Sequence, residues 1–107
     1  MYLIATLELS YAGVARFFEV APKVRALMEA NGVRMLHAMF QDVGRLNTVV
    51  HVWEMADADA YFRAVDALRA HEDFPEIVAG LAAAVVDEKL VFASDAPYAP
   101  RGSGKQP

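Results

Sequence analysis

His51 and Trp53 stand two residues apart in GRLNTVVHVWEMAD, the stretch from Gly44 to Asp57. In an extended chain successive side chains alternate, so Val49, His51, Trp53 and Met55 share one face, opposite Thr48, Val50, Val52 and Glu54. A neutral imidazole can take or give a proton near pH 7, and an indole beside it can stack on a flat substrate or exclude water. The small Val50 and Val52 suit close helix packing, which sends His51 and Trp53 to the other side of a sheet. If the preceding hairpin brings its two strands into matching parity, His37, Met39 and Gln41 join them there. His51 is thus the candidate catalytic residue, and Trp53, His37, Met39 and Met55 are the candidate substrate-binding residues. The competing reading, a hydrogen-bonded core histidine beside a packing Trp, stays open.

Other chemistry finds less support. His37 and His51 form a poor metal site without a third ligand, and no His-X-X-X-His or Glu-X-X-His spacing occurs, so no metal is expected. The chain has no Cys, which removes disulfides, thiolate nucleophiles and zinc-thiolate sites together. No cofactor is expected either. Gly102-Ser103-Gly104-Lys105 lacks the strand before it and the helix after it that a phosphate-cradling loop needs. His71-Glu72-Asp73 reads as a solvated loop, and the methionines read as pliable packing. Glu8, a carboxylate in an apolar strand, must be solvated at the strand end, paired, or raised in pKa.

The elements that must position these residues follow from hydrophobic periodicity. Met1 to Leu9 is a nearly continuous apolar run and predicts a strand. From Ala12 to Ala30, apolar residues at three- and four-residue steps predict a helix that Asn31-Gly32 stops and that Pro22 must kink or divide. Val33 to Val43 and Leu46 to Met55 predict two strands of a hairpin turning at Gly44-Arg45. Asp57 can cap a helix running to Ala70, Pro75 suits the first turn of a short helix to Val85, and Glu88 to Ser94 predicts the last strand. The order β-α-β-β-α-β predicts an α+β, ferredoxin-like fold with a four-stranded antiparallel sheet and helices on one face.

The 107 residues allow one domain, expected over 1–95, with a flexible Pro/Gly-rich tail over 96–107 whose first part Tyr98 could anchor. Hydrophobic residues make up 56% of the chain and mean hydropathy is +0.22. That excess, with both parities of the first and third strands mostly apolar, predicts that the bare sheet face meets a second copy, forming a homodimer around an enclosed space. A net charge of −4 with scattered Lys and Arg gives no stripe for nucleic acid. No apolar run reaches a membrane span, and the N-terminus reads as a strand, not a signal peptide, so a cytoplasmic location is expected.

The stretch VGRLNTVVHVWEMAD resembles the signature of the NIPSNAP family, a Gly-X-Leu-Asn turn leading into a Val-Val-His-hydrophobic-Trp strand and an acidic helix start. HEDFPEIVAGL is similar to that family's acidic-aromatic start of a short C-terminal helix, and the element order from Tyr2 to Ser94 agrees throughout. The sequence departs from the family in a shorter first helix between Gly13 and Gly32. The resemblance implies a dimeric α/β barrel, a superfamily that includes cofactor-independent monooxygenases, isomerases, cyclases and haem-degrading enzymes, and it implies no single reaction. The expectation is a homodimer binding a small, mainly apolar metabolite between two sheets, with His51 as acid-base group of a cofactor-independent enzyme. The alternatives are a non-catalytic interaction module and a cofactor-independent monooxygenase of an aromatic substrate.

Overall fold

The computed structural model describes residues 1–100. Strand β1 spans Tyr2–Leu9, helix α1 Val14–Ala30, β2 Arg34–Phe40, β3 Thr48–Glu54, α2 Ala58–Ala70, α3 Phe74–Ala84 and β4 Val85–Ala93. The sheet is antiparallel in the order β2-β3-β1-β4. This is the expected α+β, ferredoxin-like arrangement.

The local reasons for the elements are readable. Ser10 accepts the Gly13 amide at 3.0 Å and opens a short 3-10 turn, Tyr11–Gly13, ahead of α1. Pro22 lies within α1 without ending it. Gly32 at φ +87° takes the left-handed conformation that releases the chain toward β2. The β2–β3 connection, 41–47, is longer than a tight turn at Gly44-Arg45. It uses positive φ at Gly44 and at Asn47 and closes with the Gln41 amide donating to the Thr48 carbonyl at 2.9 Å. Asp57 caps α2 by accepting the Ala60 amide at 2.8 Å. Glu8, near its strand end, pairs with Arg45 at 2.8 Å. His71 Nδ1 accepts the Asp73 amide at 3.0 Å, so this imidazole shapes the α2–α3 turn. Ala96–Pro100 contain a turn from Ala96 to Ala99, and Tyr98 is exposed. The remainder of the expected tail, 101–107, lies outside the described residues.

Helix α3 passes into β4 without an intervening residue. Its last residue is held at the exit of β1, where the Ser10 amide donates to the Ala84 carbonyl at 2.9 Å. A Cβ on Gly13 would lie 2.4 Å from the Ala84 Cα, so only glycine permits this approach. Gly80 serves similarly between α3 and α1, where a Cβ would meet Val20 Cγ1 at 2.6 Å.

The odd residues of β1, Leu3 to Leu9, are buried beneath the helices. The core divides in two. Leu3, Met28, Val33, Trp53, Met55, Ala60 and Ala64 form one cluster. Ala5, Leu7, Leu9, Phe17, Val49 and Ala84 form the other. On the opposite face no helix among the described residues covers Ile4, Val50, Val52 or Val91, and Val91 is 55% exposed.

Candidate ligand-binding site

Strand register decides which side chains meet. Ala5 of β1 is paired with His51 on one side and Leu90 on the other, and His51 is paired in turn with Ala38 of β2. His51 therefore shares the face of Leu3, Ala5 and Leu7, which is the helix side. This corrects the expectation that His51 and Trp53 face the space between two stacked sheets. Trp53 is too large for a position under a bulky helix and belongs under a helix of small residues, which α2 provides with Ala60 and Ala64. The small Val50 and Val52 take the bare face instead.

The same register separates the other candidates. An irregularity in β2 between Met35 and His37 leaves Met35 opposite Trp53 but places His37 opposite Val52 and Met39 opposite Val50. His37 and Met39 thus have the parity of the bare face, and the two imidazoles cannot share a metal, although Met39 at the edge strand still borders a hollow together with His51. Among the described residues no three His, Asp or Glu side chains gather as metal ligands. Met55 is on the helix side but buried in the core cluster behind Trp53.

Between the two core clusters lies a hollow of about 310 Å³. Leu3, Ala5 and Leu7 form its floor, Phe17 and Met28 of α1 its wall, and His51 and Trp53 one side. The His51 ring stacks on Phe17, with centroids 6.0 Å apart and planes at 25°, and meets Trp53 edge-on at 6.2 Å. Among the described residues it has rings as neighbours and no hydrogen-bonding partner. Burial pushes its pKa below the ordinary value, so the neutral imidazole prevails at pH 7.

Three polar lining residues lie beyond the sequence reading: Tyr61, Arg69 and Glu88. Tyr61 of α2 reaches the hollow while its ring packs edge-on against Phe62 at 5.4 Å and Phe92 at 5.7 Å. Burial raises its pKa, the Glu88 charge raises it further and Arg69 opposes them, so the phenol remains a hydrogen-bond donor. Arg69 and Glu88 line the same hollow with their neighbours Leu68 and Leu90 and form its charged rim. The signal for Arg69 was its helical spacing from Tyr61 and Val65, which continues the apolar stripe. For Glu88 it was its parity with Leu90 and Phe92, legible only once the strand's inner face is known.

The family model for NIPSNAP matches residues 2–100. The chain belongs to the NIPSNAP family. A NIPSNAP domain protein from Burkholderia xenovorans has a similar structure, with a TM-score of 0.77 at 20% identity over 94% of this chain and 99% of its own. Protein Atu4242 from Agrobacterium tumefaciens gives 0.79 at 16% identity over 92% and 96%. SnoaB from Streptomyces nogalater, described as a cofactor-independent oxygenase, gives 0.62 at 17% identity over 91% and 95%. At these identities the likeness speaks for the fold. No curated protein matches the sequence. This NIPSNAP chain contains no helix, among the described residues, long and apolar enough to cross a membrane.

Proposed function

We propose that this NIPSNAP protein is a cytoplasmic homodimer in which each chain binds one small, mainly apolar metabolite in the hollow between sheet and helices, as a cofactor-independent enzyme with His51 as acid-base group. The observation that carries this reading is an imidazole set among rings on the wall of an apolar hollow that divides the core, with burial favouring its neutral form. Cores of domains this size are normally contiguous, and an apolar cavity with a few convergent polar groups is what a small-molecule site requires. His51 can accept a proton from an activated C–H or O–H of the ligand and return it at another position, a transfer that balances without oxidant or reductant. Tyr61 can hold a ligand oxygen by donating its phenolic hydrogen. Trp53 and Phe17 exclude water and favour a flat molecule.

A second reading, a cofactor-independent monooxygenase acting on an aromatic substrate, is supported by the aromatic wall and by structural likeness to proteins described as an antibiotic biosynthesis monooxygenase and a cofactor-independent oxygenase. Substrate-dependent oxygen uptake distinguishes it from proton transfer alone.

The test is native mass spectrometry of freshly purified protein under gentle and denaturing conditions, followed by the same measurement on His51→Ala. The expected result is a retained small molecule, whose identified class then serves as the assay substrate, with turnover lost in a variant that still folds. Unchanged turnover in His51→Ala overturns the role of the imidazole. Protein free of ligand, with no binding to a panel of apolar metabolites, favours a non-catalytic interaction module.

A further inference from the structure

The His51–Phe17 stack is a partition with space on both sides. Ala5 on one flank and Ala38 on the other are the smallest side chains that strand positions beside His51 could carry, and each leaves a hollow above it. On the Ala38 flank a second hollow of about 350 Å³ lies between α1 and the edge strand β2. Phe17, Ala21 and His51 border both hollows, whereas Phe18, Met35, Ala38 and Phe40 belong to the second alone.

Two features set the chemistry of this second space. Phe18 and Phe40 are 49% and 41% exposed and meet edge-on, with centroids 5.7 Å apart, presenting aromatic surface beside an opening. Isolated exposed aromatics are ordinary, but an aromatic pair lining a concave space is the composition of a ligand pocket. The other feature is Arg25, a lining residue whose guanidinium is already oriented. Its Nε donates to Glu29 Oε1 at 3.3 Å, and the other Glu29 oxygen accepts the Met35 amide at 3.1 Å. Glu29 is thereby fixed between α1 and β2, and the terminal nitrogens of Arg25 remain available as a fork for a carboxylate or sulfonate.

We infer that each chain has a second binding site, between α1 and β2, for a flat apolar anion such as an aromatic carboxylate, with the ring between Phe18, Phe40 and Met35 and the acidic group on Arg25. Because the two hollows share the His51 ring, occupancy of one bears on the other wall of the same imidazole. The assignment does not depend on catalysis at His51, and the methionines separate the two spaces: Met28 borders the first hollow and Met35 the second.

The experiment is methionine-methyl NMR on the full chain, titrated with anilinonaphthalene sulfonate and with its neutral analogue phenylnaphthylamine. The Met35 methyl is expected to shift with the anionic probe. Ala38→Trp, which fills only the second hollow, should abolish that shift, and the Met28 methyl at the first hollow should behave in the titration as it does in the native protein. Arg25→Gln, an exposed helix change that leaves the fold intact, should weaken the anionic probe about tenfold at the Met35 site and leave the neutral one unaltered. A silent Met35 methyl, a Met35 shift that survives Ala38→Trp, or equal affinities in Arg25→Gln would each overturn the assignment.

Discussion

A half-buried imidazole with rings on two sides is costly to protonate, because the charged form loses water and gains no acceptor in return. For His51 the consequence has a definite sign. Its pKa is lowered from 6.5 on folding, so between the two values the unfolded chain binds the extra proton. Stability therefore rises with pH across that window, is fully present above about pH 6.5, and is lost as pH falls through the folded value. Denaturant titrations at about pH 5 and pH 7.5 should show that the native protein loses more stability on acidification than His51→Gln does. Equal losses would mean that burial of this imidazole is not what couples folding to protons. The alternation of side chains predicted that His51 and Trp53 lie together, and the structure places them so. The side they occupy is the reverse of the one that small Val50 and Val52 suggest, because the size of the helix residues above settles it. The deciding residues, Ala60 and Ala64, lie in a different element, and no pattern local to β3 contains them.

Elements were legible wherever a cap or stop is chemically distinctive: Asp57 before α2, Pro75 in α3, and Asn31-Gly32 after α1. The course of β2 was not, since its irregularity after Met35 has no marker such as Gly or Pro. That one extra residue moves His37 and Met39 from the side of His51 to the bare face. The 41–47 connection is longer than a turn at Gly44-Arg45, because Asn47 also takes positive φ and asparagine marks that conformation less distinctly than glycine does. Close packing of α1 on α3 makes a firm expectation at this scale. Gly80→Val places side-chain atoms where Val20 already lies, and overpacking a filled contact costs about 1–3 kcal/mol. Urea unfolding should show a lower midpoint with an unchanged slope. A variant as stable as the native protein would mean that the two helices can separate at little cost.

The molecule as a whole has one sheet face under helices and one that no helix among the described residues covers, and apolar side chains lie on both. Ile4, Val50 and Val52 are central on that face, flanked by the Arg34–Glu54 pair at 2.7 Å and the Arg45–Glu8 pair at 2.8 Å. An apolar centre with a charged border is suited to self-association. Val52→Lys should therefore convert the proposed dimer to a monomer in light scattering, with far-ultraviolet circular dichroism unchanged. Native protein that is itself monomeric would refute the stacked-sheet assembly, although the hollow under the helices belongs to a single chain and would survive that result. The meeting of Ser10, Gly13 and Ala84 has a geometric consequence of its own. The end of β1, the approach to α1 and the α3–β4 junction are fastened within a few ångströms of one another at the Leu7 and Phe17 end of the hollow. The opposite end is fastened too: Glu29 of α1 accepts the Met35 amide of β2 at 3.1 Å, and only Met55 to Asp57 separate β3 from α2. The helices are thus tied to the sheet at both ends of the hollow, with the space held between the ties.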